Sequence, residues 1–141
     1  MAAGKFNYLA KKVNDLVYSQ ASFTSVTPIY FGLSTAAFDN TKTGATITEA
    51  NYGSYARVSV TNNATNFPAS TGSGSATKTG SAGGAITFPT SSGTTNTLLS
   101  AFTADAATTG NLYHGADISS TVINSGDTPQ IPTNGFTNVE S

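Results

Sequence analysis

Residues 28–34 read PIYFGLS and residues 55–60 read YARVSV. In the first, Ile29, Phe31 and Leu33 alternate with Tyr30, Gly32 and Ser34. In the second, Ala56, Val58 and Val60 alternate with Tyr55, Arg57 and Ser59. A period of two puts each set on one face of a strand, so both stretches are expected as β-strands with one buried side. Pro28 suits the first position of a strand, where no ladder donor is needed. The same reasoning predicts a short strand in AITFP, carrying Ile86 and Phe88, and paired strands at 97–104 and 111–116 around the connection 105–110. Further short strands are expected at 46–48, 121–123 and 136–139. Gly110 and the run Asn124-Ser125-Gly126-Asp127 supply turn signals between them. Many short strands separated by turns predict a mainly β chain, an antiparallel β-sandwich or jelly-roll-like domain.

The N-terminal stretch has a different period. Phe6, Leu9, Val13, Leu16 and Val17 fall on one face of a helix, and Lys5, Lys11, Lys12, Asn14 and Asp15 supply most of the polar face. The spacing predicts one amphipathic helix over 5–20, with residues 1–22 as an N-terminal helix or arm and 23–141 as a single antiparallel β-domain. Such a helix is marginal alone in water and must dock, either on its own β-domain or on another subunit. Tyr8 and Tyr18 flank its stripe. Phe6, Tyr8, Leu9, Val13, Leu16, Val17 and Tyr18 are therefore the candidate protein-interface residues. Residues 70–84, STGSGSATKTGSAGG, are low in complexity and poor in apolar side chains. They are expected as a solvent loop, a hairpin tip or a segment held by a partner.

Composition narrows the function. Only 9% of the 141 residues are charged and the formal net charge is −1, which excludes an electrostatic nucleic-acid binder. The chain has no cysteine, so disulfides, thiolate nucleophiles and Cys-based zinc sites are excluded. No run is long and apolar enough for a membrane span, and the opening residues form no apolar signal core. A soluble chain made in the cytosol is expected. Thr, Ser and Gly number 24, 17 and 14, and large apolar side chains are few for a domain of this length. So thin a core suggests support from neighbouring subunits.

Residues able to do chemistry are sparse. His114 is the single histidine, and its alternating context NLYHGAD reads as a strand or interface position. The acids Asp15, Asp39, Glu49, Asp105, Asp117, Asp127 and Glu140 are spread over helix, loops and turns, with Asp105 and Asp127 at positions where Asp caps backbone donors. Asp39-Asn40 is the best candidate for a loose calcium contact, but no EF-hand loop or His pair accompanies it. GSGSATKTG has the letters of a phosphate cradle but runs into a strand rather than a helix. Lys11-Lys12 reads as a solvated face, and Asn63-Ala64-Thr65 is a glycosylation sequon without a secretory route. The six tyrosines, with no tryptophan, fit a polar protein–protein surface better than a sugar platform. No catalytic, cofactor or metal residues are assigned.

An amphipathic opening helix and then TPIYFGLST, YGSYARVSVT, AITFPT, DAATTGNLYHGADIS and TVINSGDTPQI follow one another in this order from about Lys5 to Ile131. In them the chain resembles a family of short tailed-bacteriophage virion proteins often labelled tail fibre or hypothetical structural proteins. Its GYAR element falls on Ser54-Tyr55-Ala56-Arg57, its hairpin on residues 105–116 and its NxGDTP turn on residues 124–129. The chain departs from the family pattern in having Thr109 for the first glycine of the hairpin turn, no tryptophan before the hairpin, and a polar GFTNVE at the end. The resemblance implies a non-enzymatic virion structural protein without cofactors, binding neither nucleic acid nor membrane. Of two locations, the capsid surface is favoured: a decoration (cement) protein, a homo-oligomer and most simply a trimer, clamping the major capsid protein. The aromatic-free 70–84 loop argues against receptor contact. The alternative is a tail-fibre or tail-tip component.

Overall fold

The computed structural model describes residues 1–19, 21–73 and 76–140. Five strands form the main sheet: β1 (Ala3–Lys5), β2 (Ile29–Ser34), β3 (Val58–Val60), β6 (Asn96–Ala104) and β7 (Leu112–Ile123), in the order β1-β7-β6-β2-β3. Two ribbons complete the fold, β4 (Ala76–Gly80) with β9 (Phe136–Glu140) and β5 (Ile86–Thr87) with β8 (Gln130–Ile131). All pairings are antiparallel. The antiparallel β reading therefore holds, but one broad sheet facing two ribbons differs from the paired four-stranded sheets of a jelly roll.

Alternation in PIYFGLS decides where the core lies. Phe31 and Leu33 point to the ribbons and join Leu98, Ile86, Phe88, Tyr52 and Ile123, while Phe67 and Phe136 close over Phe31 at ring-centroid distances of 6.3 and 5.3 Å. On the opposite face Gly32 lies under the Phe102 ring, and Phe102 packs with Phe6, Ala104 and Leu112 beneath Phe38 and Ile47. Both faces are thus covered, each by a thin layer.

Several expected boundaries shift. The helix α1 spans Asn7–Tyr18 rather than starting at 5, because Ala3–Lys5 pairs with Ala116, Gly115 and His114 of β7 and extends the sheet. Gln20, its expected last residue, lies outside the described residues. No strand forms at 46–48: residues 44–46 are a turn in which the amides of Thr46 and Ile47 both donate to the Thr43 carbonyl, and beyond it only Glu49 bridges to Ser34. In YARVSV the ladder begins only at Val58; Ala56 is exposed and Arg57 buried, the reverse of the expected facing. The strand expected at 121–123 is the end of β7, which passes its partner β6 through register shifts. Within 70–84, where a loop was one expectation, Ala76–Gly80 pairs with Phe136–Glu140, while Gly74 and Ser75 lie outside the described residues.

The turns behave as their residues require. Asp105 accepts from the Asn111 amide (2.8 Å) and side chain (2.7 Å), and Gly110 adopts φ +70°. Asp127 accepts from the Asn124 amide at 2.8 Å. Asn63 of the sequon accepts from the amides of Thr65 and Asn66, closing a turn.

Candidate protein interface

The foot of α1 is fastened at several points. The Phe6 amide donates to the Tyr113 carbonyl and the Asn7 amide to the Asn40 carbonyl, both at 2.9 Å. The Phe6 ring meets Phe38 edge-on at 5.1 Å, and Gly115 lies beneath both rings, where a Cβ would stand 2.7 Å from Phe38 and 2.9 Å from Phe6. Tyr8 stacks on Tyr113 at 6.1 Å, the Lys12 ammonium lies over the Tyr8 ring, and Phe23 meets Tyr113 edge-on. Asp117 ties the strand before the helix to the 35–50 segment, accepting from the amides of Ala2 and Phe38 at 2.7 Å each. The Phe38 bond first, then the Ala2 bond, hold its carboxyl below the usual carboxylate range. Sequence reasoning gave Asp117 no role; both its partners are remote in the chain.

The outer end of the helix is bare. Val13, Leu16, Val17 and Tyr18 are 39%, 51%, 61% and 84% exposed. The last turn closes on the Asp15 carbonyl, which accepts from the amides of Ser19 and Ala21 and from the Ser19 hydroxyl. The seven interface candidates therefore divide. Phe6 and Leu9 are buried in this chain and Tyr8 leans on Tyr113, whereas Val13, Leu16, Val17 and Tyr18 present an apolar end to solvent. One amphipathic stripe serves the fold at one end and faces outward at the other.

Beside the foot of the helix is a cleft of about 320 Å³ between the main sheet and the β4–β9 ribbon, walled chiefly by Leu9, Phe23, Val26, Ile29, Phe67 and Phe136. His114 is on its wall, half-buried, and its amide donates to Thr103 Oγ1 at 3.1 Å. Burial first, then the Asp105 charge, then Tyr8, push the Tyr113 phenol up to about 12.

The GYAR element is structural. The Arg57 guanidinium is buried: Nη2 pairs with Glu49 Oε1 at 2.6 Å, and Nη1 donates to the carbonyls of Ala106 (2.7 Å) and Thr109 (2.9 Å). Tyr55 donates to Glu49 at 3.0 Å and accepts from the Leu33 amide at 2.9 Å. Arg57 thus ties the β6–β7 turn to Glu49, and Tyr55 ties Glu49 to the backbone of β2. Asp39 is engaged by the Thr41 amide and hydroxyl and by Lys42. Among the described residues no three His, Asp or Glu side chains gather as a metal cluster.

A family model described as podophage GP4 fiber I protein gp80 matches residues 4–138. No curated protein matches the chain. The match takes in the sheet, both ribbons and the helix, so the chain belongs to the podophage GP4 fiber I protein gp80 family and is a structural protein of the phage virion.

Proposed function

We propose that this chain is a non-catalytic subunit of a phage fibre that works by contact with further copies of itself and with other virion proteins. The observation that carries this reading is the outer half of α1, a short rigid rod with aliphatic side chains in water although its foot is firmly packed. Contiguous apolar surface of that kind marks an interaction site. The carboxylates of Asp39, Asp105 and Asp127 are engaged in turns, that of Glu49 in the Arg57 pair and that of Asp117 in anchoring the N-terminal strand. The family description favours a fibre over the capsid surface. The second reading, a trimeric decoration protein on the major capsid protein, draws on the same helix end. Gold-labelled antibody against the chain, applied to intact particles and viewed by electron microscopy, tests the location. Label on the tail appendages is expected; label spread over the shell would replace the fibre reading with the decoration reading, and unlabelled particles would contradict both.

A further inference from the structure

The N-terminal arm, β1 with α1, rests chiefly on β7 and on the 38–40 segment of the body that follows it. Ala3–Lys5 pairs with residues 114–116, the Phe6 amide donates to the Tyr113 carbonyl, and Asp117 accepts from the Ala2 amide. The Phe6 ring, 1% exposed, fills a socket among Phe102, Ala104 and Leu112 that Phe38 closes edge-on. Between the arm and β2, residues 21–26 form neither helix nor strand. Phe23 still shares the arm's support, edge-on to Tyr113. The body takes hold at Val26, whose carbonyl accepts from the Asn62 side chain at 2.9 Å, and at Thr27, whose hydroxyl accepts from the Asn62 amide at 3.2 Å. Thr24 and Ser25 lie between these two anchorages, both exposed and hydrogen-bonded to no other described residue. Every one of these arm contacts ends on a residue beyond that joint, so the contact is the same whether the receiving body belongs to the same chain or to another copy. Exchange of an identical element between copies then costs little, and its balance is set by the joint and by any surface the crossing chains newly share. Such a surface adjoins the joint: Val17 and Tyr18, 61% and 84% exposed, end the helix that leads into it.

We propose that β1 and the foot of α1 from one copy dock on the β7 edge and in the Phe6 socket of a second copy, with Thr24 and Ser25 as the hinge. This rests on the reading of the chain as a subunit that works by contact. A reciprocal exchange closes a pair, and a sequential one closes a ring or propagates along a fibre.

The chain has no cysteine, so paired substitutions report the contact directly. Ala3 and Ala116 are opposite one another in the ladder, next to the pair in which the Asp117 amide donates to the Ala2 carbonyl. They therefore occupy the closer-spaced kind of position, about 4.5 Å between Cα atoms, which a disulfide can span. Full-length Ala3→Cys, size-tagged, is co-expressed with full-length Ala116→Cys, purified and oxidised. A disulfide-linked heterodimer is expected on a non-reducing gel, with neither variant linking to itself when made alone. A chain carrying both substitutions should shift from monomer to dimer or larger species. The proposal fails if the pair gives no heterodimer, or if Ala3→Cys links to itself as readily, which would be collision between exposed thiols. It fails too if the double variant closes its disulfide within one chain, or forms none, since the strand would then lie on neither body. An intrachain disulfide in a chain whose gold label marks the tail appendages would remove the exchange and leave the fibre reading standing.

Discussion

Arg57 illustrates how one side chain can fix several loops at once. Its guanidinium is withdrawn from water, so removing its carboxylate partner leaves a buried charge uncompensated. Glu49→Gln should therefore lower unfolding stability by about 3 kcal/mol, measured by urea titration. Tyr55→Phe, which strips hydrogen bonds from Leu33 and Glu49, should cost about 1–2 kcal/mol. An unchanged midpoint in Glu49→Gln would show that the pair does not hold the β6–β7 turn. Asp117 acts at low pH. Its folded carboxyl titrates below its unfolded value, so its contribution is present above the ordinary Asp range and is lost as pH falls through the folded value. The Ala2 and Phe38 amides should then lose protection in acid, measured against their intrinsic exchange rates at each pH, and Asp117→Asn should abolish that pH dependence. Tyr113 acts at the other end of the scale. With its phenol raised to about 12, the stability it lends is full below the unfolded tyrosine range near 10 and is lost as pH climbs to 12. Ultraviolet titration of Tyr113→Phe should lack that late-ionising phenol.

At the scale of elements, what could be read in the sequence was what side-chain period encodes. PIYFGLS shows one face in its alternation, and the β6–β7 hairpin is marked by its flanking strands and by Gly110. The strand β1 has no such mark: Ala-Gly-Lys is a strand because the β7 edge supplies hydrogen-bond partners. The strand β4 is hidden in low complexity for the same reason, its pairing set by the backbone of Phe136–Glu140. The helix stripe was legible, but not its division into a packed foot and a bare end, since that depends on where β7 and Phe38 stop. Nor was the Arg57 cluster, which joins residues as far apart as Glu49 and Thr109. The division of the stripe makes a contrast within one helix. Phe6→Ala should cost about 3–5 kcal/mol by emptying a core site. Leu16→Asp should leave the isolated chain within about 0.5 kcal/mol of its stability, because it changes an exposed side chain. Thermal melts of the two variants would show it, and a large loss in Leu16→Asp would mean that the helix end is packed on its own domain.

Across the whole molecule, the thin core expected from composition takes a specific form. The two ribbons do not seal the sheet: besides the cleft at the helix foot, openings of about 310 and 350 Å³ lie between the sheet and the β8–β9 side. A domain so lightly filled gains by lying against neighbours, since anything that binds the folded state stabilises it. The proposed role as a fibre subunit acting through contact is tested most directly by counting the chain in purified particles by quantitative mass spectrometry against the major capsid protein. A small copy number in multiples of three or six is the predicted result; hundreds of copies per particle, or none, would contradict it.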